Sequence, residues 1–155
     1  MRDPKLETSG KIIGFYEREF YCFSNLSSFQ VEWQDRVWMT SEHAYQAAKF
    51  FDTAPEIVEE IYRAKSAHEA KKIMERNRDK EEPDWQAKKV GVMEDICFHK
   101  LNQNPYIQKK LQETGDKEIV EDSPVDSFWG WGEDRKGRNE LGKIWMRLRD
   151  KILSD

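Results

Sequence analysis

Hydrophobic positions along the chain follow two different periods. Near the N-terminus, the apolar residues of Ile12–Tyr16 and Val31–Trp38 fit short strands, and the second segment predicts a β-hairpin that turns at Gln34 and Asp35. From Glu42 onward, apolar residues recur every three or four positions, which is typical of amphipathic helices. The predicted helices cover residues 42–51, 55–65, 66–77, 84–101, 105–115 and 139–153.

The order of these elements predicts a helix-dominated α+β fold. We expect a single compact domain of about six helices, with a small β-hairpin or sheet built from N-terminal strands and one further short strand at Lys117–Ser123. The length of 155 residues suits one domain with a substantial core. Residues 1–10 are predicted to be a flexible N-terminus, and residues 11–155 are predicted to form the domain.

The charge and cysteine content narrow the range of partners. The 26 basic and 30 acidic residues give a net charge of −4, which argues against binding to duplex nucleic acid through a large positive field. No apolar run is as long as a membrane span, and the N-terminus lacks the apolar core of a secretory signal, so we expect a cytoplasmic location and no membrane partner. Cys22 and Cys97 lack metal-ligand spacing and only three histidines are present, so we expect no metal site and no cofactor. The sequence predicts no particular oligomeric state.

The segment Trp38–Phe50 is the first candidate for chemistry. Thr40 or Ser41 can cap a helix whose first turn contains Glu42 and His43. Aromatic residues surround this pair in the sequence, and a carboxylate beside so much ring surface can be desolvated and thereby suited to proton transfer. The alternative, which this segment alone favours, is that Glu42 only stabilises the helix.

A glycine-rich loop at Asp126–Asn139 is the second candidate. Trp129 and Trp131 are separated by one glycine, and exposed tryptophan rings on such a loop can stack on a flat heterocycle, a contact worth about 1–3 kcal/mol per base. Loops of this length inside a domain are usually functional or disordered, and aromatic residues argue against disorder. The alternative is that the tryptophans anchor the loop to the core, and composition alone favours neither interpretation.

Basic and polar residues provide weaker candidates. Arg78 lies at a predicted helix end and Lys143 on the last helix, where either can bind a phosphate or simply complement the helix end. Phe23–Asn25 presents a ring, a hydroxyl and a carboxamide, which can line a pocket or form a turn.

Five motifs occur together in a fixed order over roughly residues 13–151. They are F-S-N-L, W-x-T-S-E-H-A-Y-Q-A-x-K-F, R-N-R, a helix start at Trp85, and D-x-x-W-G-x-G followed by G-x-N-x-L-G-K. In this order and spacing they closely resemble the YbiA-like N-glycosidases of the NADAR superfamily. The chain differs from the family pattern at the hairpin turn, where Gln34-Asp35 stands in place of Asp-Gly, at Met39 in place of a proline, and at Trp131 between the loop glycines.

The resemblance implies cleavage of the C–N bond that joins a ribose to a nitrogen heterocycle. The expected sugar is ribose 5-phosphate. One branch of the family acts on early riboflavin intermediates that carry an aminopyrimidine, and such a nucleotide-like small molecule is the expected substrate. Another branch removes ADP-ribose from guanine, so ADP-ribosylated nucleic acid is the alternative partner. A noncatalytic module that binds nucleotides or ADP-ribose is a third interpretation.

The resemblance also implies catalytic roles for Glu42, Trp85, Asp126 and Trp129. We expect Glu42 to act as general acid/base, Asp126 to bind ribose hydroxyls or orient water, and the two tryptophans to hold the base. This places the expected site between the Glu42 helix and the loop at Asp126–Asn139. The predicted substrate-binding residues are Phe23, Asn25, His43, Arg78, Trp131, Asn139 and Lys143.

Overall fold

Two units make up the fold, and the computed structural model describes residues 11–16 and 18–154. The first unit combines the chain up to Ser24 with the chain from Asn104 onward, and the second unit comprises Asn25–Gln103. The predicted flexible segment, residues 1–10, lies outside the described residues.

The predicted helix-dominated α+β class is confirmed, with six α-helices in the described chain. The strands are β1 (Ile12–Phe15), β2 (Val31–Trp33), β3 (Arg36–Trp38) and β4 (Glu118–Glu121). The helices are α1 (Ser41–Ala48), α2 (Pro55–Tyr62), α3 (Ala67–Arg76), α4 (Trp85–Gln103), α5 (Pro105–Glu113) and α6 (Glu140–Ser154), with short 3-10 helices at Arg18–Phe23 and Arg78–Lys80.

The predicted hairpin forms in the second unit. Strands β2 and β3 are antiparallel, with Val31 opposite Trp38 and Trp33 opposite Arg36. The turn residues Gln34 and Asp35 have φ values of 53° and 62°. Both values lie in the left-handed region that two-residue hairpin turns require, where glycine is the least strained residue. The hairpin therefore keeps its turn geometry without the Asp-Gly pair of the family pattern.

Local capping explains where the helices of the second unit begin. The side chain of Thr40 caps α1, and Pro55 occupies the first turn of α2. At α3, Ser66 Oγ accepts a hydrogen bond from the backbone N–H of Glu69 at 3.0 Å, while the Glu69 carboxylate accepts one from the N–H of Lys65 at 2.8 Å. These two contacts satisfy backbone N–H groups at the start of α3 and so fix where the helix begins.

In the first unit, two distant segments of the chain pair as strands. Strand β1 runs parallel to β4, with Ile12 opposite Glu118 and Phe15 opposite Glu121. The predicted strand near Lys117 is thus confirmed as β4, and helix α6 packs against it.

The core of the first unit contains Phe23, which is fully buried. Its ring lies 5.7 Å from that of Phe15 and 5.0 Å from that of Trp145, centroid to centroid. The indole N–H of Trp145 donates a hydrogen bond of 3.0 Å to the backbone carbonyl of Phe23. We therefore correct the predicted substrate-binding role of Phe23: its ring surface is used within the fold.

Candidate active site

Glu42 lies in the first turn of α1, where the local structure fixes its backbone. Thr40 caps the helix, and the backbone N–H of Glu42 donates a hydrogen bond of 3.1 Å to the carbonyl of Asn25. The side chain is half-buried. Its Oε1 atom accepts a hydrogen bond of 2.8 Å from the Nε2 atom of Gln46, one helical turn later.

Lys49 is a buried cation close to this carboxylate. It is 7% exposed, and its ammonium lies 3.8 Å from the carboxylate of Glu81. Burial lowers the pKa of Lys49, and the negative charges of Glu81 and Glu42 oppose this shift. The positive charges of Arg78 and Lys89 lower the same pKa further, so Lys49 lies within the electrostatic field of two other cations.

Two aromatic rings cover the same lysine. The rings of Tyr45 and Trp85 lie 5.4 Å apart at an angle of 57°. The ammonium of Lys49 is 5.3 Å from the Tyr45 centroid and 6.0 Å from the Trp85 centroid. Trp85 is only 3% exposed, so most of its surface is buried within the fold.

The structure thus gathers Glu42, Trp85 and Arg78, three of the predicted site residues, around Lys49. Arg78 is exposed in the short 3-10 helix that follows α3. The preceding residue, Asn77, caps the C-terminal end of α3 and donates a hydrogen bond of 2.7 Å from its Nδ2 atom to the Ile73 carbonyl. This set, Glu42, Tyr45, Gln46, Lys49, Arg78 and Trp85, is called the Lys49 cluster below.

Asn25 is buried beside the start of α1. Its Nδ2 atom lies 3.3 Å from the sulfur of Met93, and its backbone carbonyl accepts the N–H of Glu42. Its Oδ1 atom is buried and has no hydrogen-bond partner among the described residues. An acceptor left in that condition is consistent with the predicted binding role, which stays a prediction.

His43 has a different environment from the one expected. The Thr40 hydroxyl donates to Nδ1 at 2.8 Å and accepts the backbone N–H of His43 at 3.1 Å. Because a carbonyl can only accept, Nε2 carries the ring proton and donates to Ala64 at 3.1 Å. Burial lowers the pKa of His43, which favours this neutral form. Since both ring nitrogens are engaged inside the fold, we revise its predicted substrate-binding role to a structural one.

Asp126 shapes the glycine-rich loop of the other unit. Its Oδ1 atom accepts the backbone N–H groups of Phe128 and Trp129 at 2.9 and 2.8 Å. The Oδ2 atom makes no hydrogen bond to any described residue, and the side chain is half-buried. The carboxylate can therefore stabilise the turn through Oδ1 and accept a hydrogen bond from a ligand through Oδ2.

The two loop tryptophans have different environments. The indole N–H of Trp131 donates to the carboxylate of Asp122 at 2.8 Å, and the Arg135 guanidinium lies 5.7 Å from its ring centroid. These contacts support the interpretation that Trp131 anchors the loop. Trp129 is half-buried, with its ring edge-to-face against Phe128 at 4.8 Å.

Asn139 joins the loop to strand β4. Its Nδ2 atom donates to the carbonyl of Ile119 and its Oδ1 atom accepts the N–H of Glu121, both at 2.9 Å. Since both amide atoms are engaged and the residue is 8% exposed, we revise its predicted substrate-binding role to a structural one. Lys143, in contrast, is half-exposed and lies 3.9 Å from Glu140 on the same helix.

A surface groove of the second unit has none of the Lys49 cluster residues in its lining. It has a volume of about 300 Å³ and is lined by hairpin and α2 residues and by Phe51; they include Arg36 and Trp38.

Within residues 11–16 and 18–154, no cluster of three or more His, Cys, Asp or Glu side chains is arranged to hold a metal ion. None of the helices in this described part is both long enough and apolar enough to cross a membrane.

The sequence model of the NADAR domain family matches residues 14–153. The chain belongs to the NADAR domain family. A relative of similar length agrees: the N-glycosidase Npun_R5314 of Nostoc punctiforme is 36% identical over 90% of this chain and 92% of its own length. The chloroplastic riboflavin biosynthesis protein PYRR of Zea mays is 39% identical over 97% of this chain, which corresponds to 27% of that protein.

A solved structure supports the same assignment for this NADAR domain. The solution NMR structure of Escherichia coli YbiA superposes with a TM-score of 0.83 at 33% identity, over 93% of this chain and 86% of that chain. The predicted resemblance to the YbiA-like members of the NADAR superfamily is therefore confirmed.

Sequence reasoning missed two buried polar residues of this NADAR domain, Gln46 and Lys49. Together with Glu42 they lie four and three positions apart, so they fall on one face of α1. That spacing was available in the sequence and could have identified both residues. The predicted meeting of the Glu42 helix with the loop at Asp126–Asn139 stays a prediction.

Proposed function

We propose that the chain is an N-glycosidase that hydrolyses the bond between C1 of ribose 5-phosphate and a nitrogen of a heterocycle. Its proposed substrates are aminopyrimidine intermediates early in riboflavin synthesis. The names of the relatives support this proposal, since an N-glycosidase matches over nearly its full length and a riboflavin biosynthesis protein matches over a part of its length. The structural observation that carries the proposal is the half-buried carboxylate of Glu42 in the Lys49 cluster.

Glu42 is suited to acid/base chemistry at a glycosidic bond. Cleavage of such a bond builds positive charge on the sugar, and a carboxyl group can protonate the leaving nitrogen or activate water. Gln46 holds one carboxylate oxygen of Glu42, which restricts the rotation of the group. In our proposal Glu42 transfers the proton at the scissile nitrogen, and the same carboxylate faces the developing cation.

The cations of the cluster fit a phosphorylated substrate. Lys49 is affected by the charges of Arg78 and Lys89, and by those of two carboxylates, Glu42 and Glu81. A substrate phosphate would oppose the mutual repulsion of these cations, and the planar guanidinium of Arg78 can bind it with two parallel hydrogen bonds. We therefore assign the phosphate to the exposed Arg78.

Asp126, Trp129 and Lys143 keep their predicted roles as parts of the proposal. Asp126 binds ribose hydroxyls or orients water, and Trp129 holds the heterocycle, while the buried ring of Trp85 lines the Lys49 cluster. Lys143 is the second candidate for a phosphate contact. Reduced thiols are typical of the cytoplasm, and Cys22 and Cys97 are buried thiols that form no disulfide with each other, which supports a cytoplasmic location.

A turnover assay with the wild-type protein and a panel of nucleotides tests this proposal. The panel contains the aminopyrimidine ribose-phosphate intermediates, ADP-ribosylated guanosine, NAD and AMP, and products are identified by mass spectrometry. We expect a free pyrimidine and ribose 5-phosphate. Release of ADP-ribose from guanine would retain the chemistry and replace the substrate. Stabilisation by a panel member without any cleavage would overturn the enzymatic proposal in favour of a binding module.

A further inference from the structure

Gln46 is a buried carboxamide that points its nitrogen at Glu42. The side chain is 4% exposed, and Nε2 lies 2.8 Å from Oε1 of Glu42. Nitrogen rather than oxygen faces the carboxylate because a carbonyl oxygen in that place would repel it. The amide orientation is therefore determined by Glu42.

The other end of the same amide has no partner. The Oε1 atom of Gln46 is buried and accepts no hydrogen bond from any described residue. An unpaired buried carbonyl lowers the stability of a fold. An unbranched apolar side chain such as methionine would fill the same space on α1 without that penalty. Packing alone therefore does not explain an amide at this position.

Two more buried polar atoms belong to residues that adjoin Glu42. One residue precedes Glu42 in the sequence, and the other is joined to it by a backbone hydrogen bond. The Oγ atom of Ser41, the preceding residue, is buried and has no hydrogen-bond partner among residues 11–16 and 18–154. The same is true of Oδ1 of Asn25, whose backbone carbonyl accepts the N–H of Glu42. Several buried polar atoms without hydrogen-bond partners around one carboxylate are typical of a site that binds a ligand. The Gln46 amide belongs to this group.

We propose that Gln46 is a positioning residue, whose amide N–H fixes the orientation of the Glu42 carboxylate for proton transfer at the glycosidic nitrogen. The inference rests on the proposed N-glycosidase function. A small misorientation of an acid/base group lowers the rate of the chemical step while substrate binding is largely retained. The unpaired carbonyl of Gln46 is the structural consequence of this orientation.

The test compares Gln46→Met with the matched control Gln112→Met, an exposed glutamine on α5. Both variants are assayed for kcat and KM on the aminopyrimidine ribose-phosphate substrates, and for melting temperature. We expect Gln46→Met to lose about 10- to 100-fold in kcat, with KM within about threefold of the wild-type value. The loss of the hydrogen bond to Glu42 and the removal of the unpaired carbonyl act on stability in opposite directions, so its melting temperature should stay within about 2 °C of the wild-type value. The control should match the wild type in activity.

Gln46→Met is also introduced into Glu42→Gln, where a positioning residue should cause little further loss of rate. Three results would overturn the inference while the wild type remains active: wild-type kcat in Gln46→Met, a fall in its melting temperature of several degrees, or an effect that adds fully to that of Glu42→Gln. A wild-type protein that cleaves none of the substrates would instead overturn the proposed function, and this inference with it.

Discussion

Oδ1 of Asp126 accepts a hydrogen bond of 2.8 Å from the backbone N–H of Trp129, and the same oxygen also holds the N–H of Phe128. Asparagine has an oxygen in the same position, so Asp126→Asn should retain the turn, whereas Asp126→Ala should lose about 1–2 kcal/mol of stability. Urea unfolding measures this difference.

Activity measurements on Asp126→Asn and Asp126→Ala separate the structural role of the Asp126 side chain from the role of its negative charge. If the carboxylate binds ribose or orients water, Asp126→Asn should lose at least about tenfold in kcat/KM despite its native stability. An Asp126→Asn variant with wild-type turnover would limit Asp126 to a structural role in the loop.

His43 makes the stability of the fold depend on pH. Burial lowers its pKa in the folded state, while the unfolded chain retains the ordinary value of about 6.5. Below about pH 6.5 the unfolded state therefore binds more protons, so the contribution of His43 is fully present at higher pH and is lost on acidification. We expect wild type to lose more stability between pH 7.5 and 5 than His43→Gln does.

Urea unfolding at the two pH values measures this difference, and His68→Gln is the matched control because His68 is exposed on α3. The control should retain the wild-type dependence on pH. Equal slopes for wild type and His43→Gln would contradict the neutral, internally bonded state of His43.

Arg78 and Arg76 provide a comparison for phosphate recognition. Both side chains are exposed, but only Arg78 is assigned to the phosphate. Because a charge-assisted hydrogen bond is lost, Arg78→Met should raise KM for the phosphorylated substrate roughly tenfold and leave KM for the dephosphorylated nucleoside unchanged. Arg76→Met should change neither value. Equal effects of the two substitutions in steady-state kinetics would remove Arg78 from the site.

Gly142 allows a close approach between α6 and its neighbours. A Cβ atom there would overlap the carbonyl oxygen of Ile119 and the amide of Asn139. Gly142→Ala should therefore destabilise the protein by about 3 kcal/mol or more. Gly91, inside α4, has open space around it, so Gly91→Ala should stabilise the protein by about 0.5–1 kcal/mol. Calorimetric melting of both variants checks the opposite signs, and a tolerated Gly142→Ala would contradict the packing described for β4 and α6.

The helices and the hairpin were predictable because their signals are local. The cap at Ser66, the proline at Pro55 and the alternation in β2 each act over a few residues. The parallel pairing of β1 with β4 was not predictable, because it joins segments near opposite ends of the chain and no local pattern encodes the partner.

The site was predictable in part. Glu42 and Trp85 were identified from motifs, and both are found in the Lys49 cluster. Phe23, His43 and Asn139 come from the same motifs, yet their rings and amide atoms are used in packing and in hydrogen bonds inside the fold. A motif contains residues that contact a ligand and residues that hold the shape, and the packing and hydrogen-bond partners in the structure distinguish the two kinds.

The most direct test of the central claim is the rate of glycosidic cleavage by wild type and Glu42→Gln on the aminopyrimidine ribose-phosphate substrates. Glutamine keeps the size of the side chain and can still accept the hydrogen bond from Gln46, so the melting temperatures of the two proteins should agree. The account predicts release of free pyrimidine and ribose 5-phosphate by wild type and a loss of about 10²-fold or more in Glu42→Gln. Cleavage by Glu42→Gln at the wild-type rate would contradict it.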